Sequence, residues 1–134
     1  MKNRSIFFTI AKEAHEQKWP FPKTFEALKN AGVLSYQVEI ENCDRIYTTS
    51  TGKVFEAKPE GFQTLKIADT FSKQGITDSL QRVREKKTDY IGFLRDIAAN
   101  GVHHYTVNMN DRSVTYFDKT ESQSYKEYVP EWKQ

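Results

Sequence analysis

Apolar positions recur at two different periods along this chain. Between residues 4 and 18, Ile6, Phe7, Ile10, Ala11 and Ala14 fall three and four apart, which lines one face of a helix. Trp19-Pro20-Phe21-Pro22 ends that helix, because neither proline fits a helix interior. A second helix opens at Pro22 or Lys23, carries Phe25, Leu28 and Ala31, and closes at Gly32. The period then drops to two. From Val33 to Ile40 the residues Leu34, Tyr36, Val38 and Ile40 face one way and Ser35, Gln37 and Glu39 the other, as in a half-buried strand. Glu41-Asn42-Cys43-Asp44 reads as a turn, Arg45 to Ser50 as a strand, Thr51-Gly52 as a turn and Lys53 to Lys58 as a third strand. Pro59-Glu60-Gly61 punctuates the chain.

The same succession follows once more. Leu65, Ala68 and Phe71 predict a helix over 63–74 closed by Gly75. A further helix is expected over about 78–87, with Asp78 and Gln81 as a capping box, Ile76 before them, and Leu80 and Val83 inward. Tyr90, Phe93, Leu94, Ile97 and Ala98 mark the next, capped by Thr88 or Asp89 and ended by Gly101. Val102 to Met109, Arg112 to Phe117 and Ser122 to Val129 read as strands, with Asn110-Asp111 as a two-residue hairpin turn.

A shift of 69 positions superimposes the two successions. It lays Gly32-Val33 on Gly101-Val102, Tyr36 on Tyr105, Val38 on Val107 and Tyr47 on Tyr116, while Phe25 meets Leu94 and Leu28 meets Ile97. Five identities across the seventeen positions from Ala31 to Tyr47 exceed the roughly one expected by chance. The expected architecture is an α+β single domain over 1–134. Two pseudo-repeated units, each a helix plus a three-strand meander, form a sheet core with helices packed on one side. The halves span about 20–58 and 88–130, with a helical connector at 62–87. A three-strand meander with one helix is marginal alone, so each unit is expected to cover the other.

Composition narrows the class. Nine Phe, seven Tyr and two Trp in 134 residues exclude a disordered chain, and a net charge of +2 is too small to imply a polyanion partner. Cys43 is the lone cysteine, so no intramolecular disulfide forms, which suits a reducing cytoplasmic setting. Lys2 and Arg4 resemble the start of a signal peptide, but the apolar run from Ile6 to Ala11 is too short to complete one, and no stretch is long enough for a bilayer.

In the second half the order Tyr90, Phe93, Asn100-Gly101-Val102, Tyr105-Thr106-Val107, Tyr116, Tyr125, Glu127 and Pro130 resembles an uncharacterised family of small bacterial and prophage-encoded proteins, some labelled "phage envelope protein". The resemblance covers most of the chain. It implies no activity and no catalytic residues, and the absence of a membrane-length segment sits poorly with the envelope label.

Candidate chemistry is sparse. His103 and His104 are neighbours on a strand, so they are expected on opposite faces and unable to chelate one metal together, with His103 at the core edge and His104 on the polar face. His15 lies beside the first apolar stripe. Cys43 has Arg45 nearby to favour thiolate and Asp44 to oppose it. Arg82, Arg84, Lys86 and Lys87 crowd one helix around Glu85, read as a solvated face. Tyr36, Tyr47, Tyr105 and Tyr116 cluster if the halves pair, as core or as a hydroxyl-lined pocket with His104 at its rim. No nucleophile elbow, phosphate-binding glycine loop, zinc-protease motif or paired cysteines occurs. The expected function is a non-enzymatic cytosolic binding or interaction domain, possessing neither cofactor nor metal and binding neither nucleic acid nor membrane. The alternative is an unrecognised enzyme or small-molecule binder using a groove lined by Tyr36, Tyr47, His104, Tyr105 and Tyr116. A homodimer through an exposed strand edge is a third expectation.

Overall fold

The computed structural model describes residues 6–58 and 61–132. Lys2, residues 4 and 5 of the helix expected over 4–18, Pro59 and Glu60 lie outside them. The elements run α1 (Ile6–Glu16), α2 (Phe21–Asn30), β1 (Val33–Glu39), β2 (Arg45–Thr49), β3 (Gly52–Glu56), α3 (Lys73–Arg84), α4 (Tyr90–Ala99), β4 (His104–Asn108), β5 (Ser113–Phe117) and β6 (Ser124–Tyr128). The strands form one antiparallel sheet in the order β3-β2-β1-β4-β5-β6. The fold is α+β, with the helices on one face of the sheet.

The unit that recurs is a helix pair followed by a meander. Advanced by 69 positions, Phe21–Asn30 coincides with Tyr90–Ala99, and Ile6–Glu16 falls on Gly75–Glu85, overlapping α3. Tyr36 pairs with Tyr47 as Tyr105 pairs with Tyr116. Three left-handed backbone positions also recur at that spacing, Gly32 with Gly101, Cys43 with Arg112 and Gly52 with Glu121. The units meet where β1 pairs with β4, Tyr36 opposite Val107 and Val38 opposite Tyr105. That register is its own image under the repeat, so the two halves are joined by a pseudo-twofold between Gln37 and Thr106.

The inner sheet face carries two rows related by this pseudo-twofold. One reads Glu56, Arg45, Val38, Tyr105, Tyr116, Tyr125; the other reads Glu127, Val114, Val107, Tyr36, Tyr47, Val54. Phe25, Leu28, Ile76, Leu94 and Ile97 come from the helices to bury them. Burying such side chains is worth roughly 1.5–3 kcal/mol each, which is what a meander lacks on its own.

Four expectations are corrected. Residues 62–72 are not helical. Instead the amide of Leu65 donates to Glu41 O, that of Ala68 to Ala98 O and that of Ser72 to Asn100 O. Long-range carbonyls thus take the bonds that a helix would make within itself, so only α3 occupies part of the expected helical connector. The helix expected over 78–87 spans Lys73–Arg84 and is capped by Ser72, whose hydroxyl accepts from the Gly75 amide; Asp78 lies inside it. Gly75 therefore belongs to the helix rather than ending one. Leu34 faces solvent at 53% exposure, because a bulge between Val33 and Ser35 turns Val33 inward instead. The β4–β5 turn takes four residues, Met109 to Arg112, closed by Arg112 with φ 58° and by the Asn108 carboxamide accepting from the Asn110 and Asp111 amides.

Candidate functional site

Sheet pairing brings Tyr36, Tyr47, Tyr105 and Tyr116 together on the inner face, all buried. The two cross-strand pairs are near copies, with ring centroids 5.4 Å apart and tilted 43° for Tyr36–Tyr47, and 5.5 Å and 47° for Tyr105–Tyr116. Aromatic rings in such tilted contact gain over their buried area. Tyr90, the first residue of α4, closes the junction from above, its hydroxyl 2.8 Å from that of Tyr105. Two hydroxyls sharing one hydrogen bond leave one O–H proton free to donate elsewhere.

Arg45 enters this junction from the first residue of β2. Its Nη1 donates to the Tyr47 hydroxyl at 3.4 Å, and its guanidinium lies 5.3 Å from the Tyr90 ring centre. All these partners are neutral. The register sets Glu56 across from Arg45, yet among the described residues no carboxylate oxygen lies within 4.0 Å of its guanidinium.

Burial pushes the hydroxyls of Tyr36, Tyr90, Tyr105 and Tyr116 well up from the ordinary tyrosine range, with Arg45 pulling back on the first three. Burial also pushes the Cys43 thiol up, more than Arg45 lowers it. The junction therefore presents neutral hydroxyls, a neutral thiol and one fixed cation at neutral pH. Arg45 and Tyr90 are the members that sequence reasoning left out of the site. The shift of 69 was the available signal, because it sets Arg45 against Val114 and Tyr90 against Phe21.

His104 is not part of this junction. Its ring is buried on the outer face, 5.1 Å from and nearly parallel to Phe117. Its Nε2 donates to Glu121 Oε2 at 2.6 Å, and its Nδ1 lies 2.8 Å from His103 Nδ1. The expectation that the two rings point apart fails, because His103 precedes the regular part of β4 and its side chain turns over the strand end. Glu39 Oε1 stands 3.9 Å from His103 Nδ1 and its other oxygen accepts from Gln37. Among the described residues no three His, Cys, Asp or Glu side chains are placed to hold a metal ion. His15 is exposed on α1. The basic helix face is partly consumed by ion pairs: Arg82 with Asp96 at 2.7 Å, Lys87 with Glu85 at 3.1 Å, and Arg84 with Glu127.

A family model covers residues 9–128, nearly the whole of both units. The chain belongs to the DUF1398 family. Its description is "Protein of unknown function", which names no activity to set against the geometry. No curated protein matches this DUF1398 chain. None of its described helices is long and apolar enough to cross a membrane.

Proposed function

We propose that this DUF1398 protein is a non-enzymatic binding domain, acting in the cytosol, whose ligand engages the junction between the two halves at Arg45 and Tyr90. One observation carries this reading. The two halves place these residues at equivalent positions of the repeat, and the second half fills the Arg45 position with Val114 and the first half fills the Tyr90 position with Phe21. The fold is satisfied by the apolar pair, so the polar pair serves something other than packing. A half-buried cation with no carboxylate within 4.0 Å among the described residues loses hydration for little direct return, a cost proteins carry mainly at functional sites. The chemistry of the group supports the non-enzymatic reading: the raised thiol and hydroxyls stay protonated at neutral pH, so the junction holds no ready nucleophile or general base. The prophage setting suggested by the sequence resemblance is compatible with such a small accessory domain.

The test is the double variant Arg45→Val with Tyr90→Phe, which gives this end of the junction the residues of the other end. Its unfolding free energy from thermal and urea denaturation is expected to equal or exceed that of the parent, by up to about 2 kcal/mol, as for other relieved functional sites. A drop of more than about 1 kcal/mol would show that the pair is structural and would remove the reading.

A further inference from the structure

We infer that the group recognised at Arg45 is a compact oxyanion, a carboxylate or phosphate carried by a small molecule; this rests on the binding reading above and specifies its ligand. The guanidinium has five N–H donors in a planar fork, and one of them makes the long 3.4 Å bond to Tyr47. The fork suits two parallel bonds to the paired oxygens of a carboxylate or phosphate. The spare proton of the Tyr90–Tyr105 hydroxyl pair supplies a further neutral donor beside it. The Tyr90 ring holds the guanidinium from its face, which leaves the edge of the fork for a ligand. Arg45, the first residue of β2, is half-buried rather than sealed, so the anion meets it on its exposed side.

The other half supports the assignment. There the left-handed position equivalent to Cys43 is Arg112, and each of its guanidinium nitrogens has a partner: Nη1 bonds Glu26 at 2.5 Å, Nε bonds Val129 O at 3.0 Å and Nη2 bonds Pro130 O at 2.8 Å. Where this fold uses an arginine to pin structure, it supplies the carboxylate and carbonyls. At Arg45 no carboxylate oxygen of the described residues comes within 4.0 Å, and a ligand's anion takes the place of Glu26.

Titration of the intact protein with sodium phosphate and, separately, sodium acetate, at constant ionic strength with chloride as balance, tests this. Amide and arginine side-chain resonances are followed by heteronuclear NMR. Saturable shifts are expected at Cys43, Arg45 and Tyr90 with one or both anions, and which of the two saturates identifies the phosphate or carboxylate source. Arg45→Gln is expected to weaken binding at least tenfold and Arg45→Lys severalfold, since lysine keeps the charge and loses the fork. Shifts that stay linear in both salts, or that saturate equally in Arg45→Gln, overturn the oxyanion assignment. If they do so while the Arg45→Val, Tyr90→Phe protein is as stable as the parent, the binding reading survives and only its ligand class falls. If that double variant is destabilised, the binding reading falls with it.

Discussion

Arg45 and Val114 stand at the same place in two copies of one structure, and so do Tyr90 and Phe21, which makes the second copy an internal control for the first. The tyrosines shared by both copies behave differently from this pair. Tyr36, Tyr105 and Tyr116 are buried and paired by the sheet, and burial raises their pKa values above the unfolded value of about 10. The unfolded chain therefore releases protons that the folded chain keeps, and stability falls as pH rises through that value. Each such group costs about 1.4 kcal/mol per pH unit above it, so three together remove about 4 kcal/mol per unit from a fold worth roughly 5–15 kcal/mol. Urea denaturation from about pH 8 upward is expected to show flat stability to about pH 10 and cooperative loss soon after, with tyrosinate absorbance appearing in the same step. Gradual tyrosinate absorbance near pH 10 in a chain that stays folded would contradict this burial. The clustering of the four tyrosines was legible from strand parity and the repeat. The separation of His104 from them was legible in the same parity, since it alternates with Tyr105. What parity could not show was the turn of His103 over the strand end, which depends on where β4 begins.

At the scale of elements, the strands and the helices α2 and α4 were readable because their periodicity, proline and glycine signals agree. The stretch from 61 to 75 was not. Leu65, Ala68 and Phe71 have helical spacing, but their backbone partners are Glu41, Ala98 and Asn100, far away in sequence. No local pattern announces such bonds. Gly75 resembled a helix end and is instead a contact, since a Cβ there would come within 1.8 Å of the Asn100 side chain. The recurrence of α1 as α3 was hidden because Phe7, Ala11 and Ala14 align with Ile76, Leu80 and Val83, which keep the apolar character and lose every identity. The connector also distinguishes two equivalent glycines. Gly32 and Gly101 both have positive φ, 105° and 86°, but a Cβ on Gly101 would lie 2.4 Å from Thr70 O and 2.7 Å from Phe71 Cα, whereas nothing lies within 4 Å at Gly32. Gly32→Ala is expected to cost about 1 kcal/mol, the left-handed penalty alone. Gly101→Ala is expected to cost at least twice as much and to loosen the connector, seen as faster amide exchange at Ala68 and Ser72. Equal costs would mean that the connector does not press on Gly101.

For the whole molecule, the decisive contact is the pairing of β1 with β4, where one half supplies to the other what a second subunit would supply in a symmetric dimer. Each half buries its inner face only because the combined sheet is wide enough for four helices to cover it. The edges β3 and β6 are five residues each, and they end the sheet with Phe55 and Tyr128 exposed at 62% and 63%. Neither half is expected to open alone while the other stays closed. Native-state hydrogen exchange tests this on the unaltered chain. Amides of β2, in the first half, and of β5, in the second, are expected to exchange with the same free energy and the same denaturant dependence, together with those of β1 and β4. If one half kept its protection while the other exchanged through a cheaper opening, the halves would be separate folding units and the account of a shared core would be wrong.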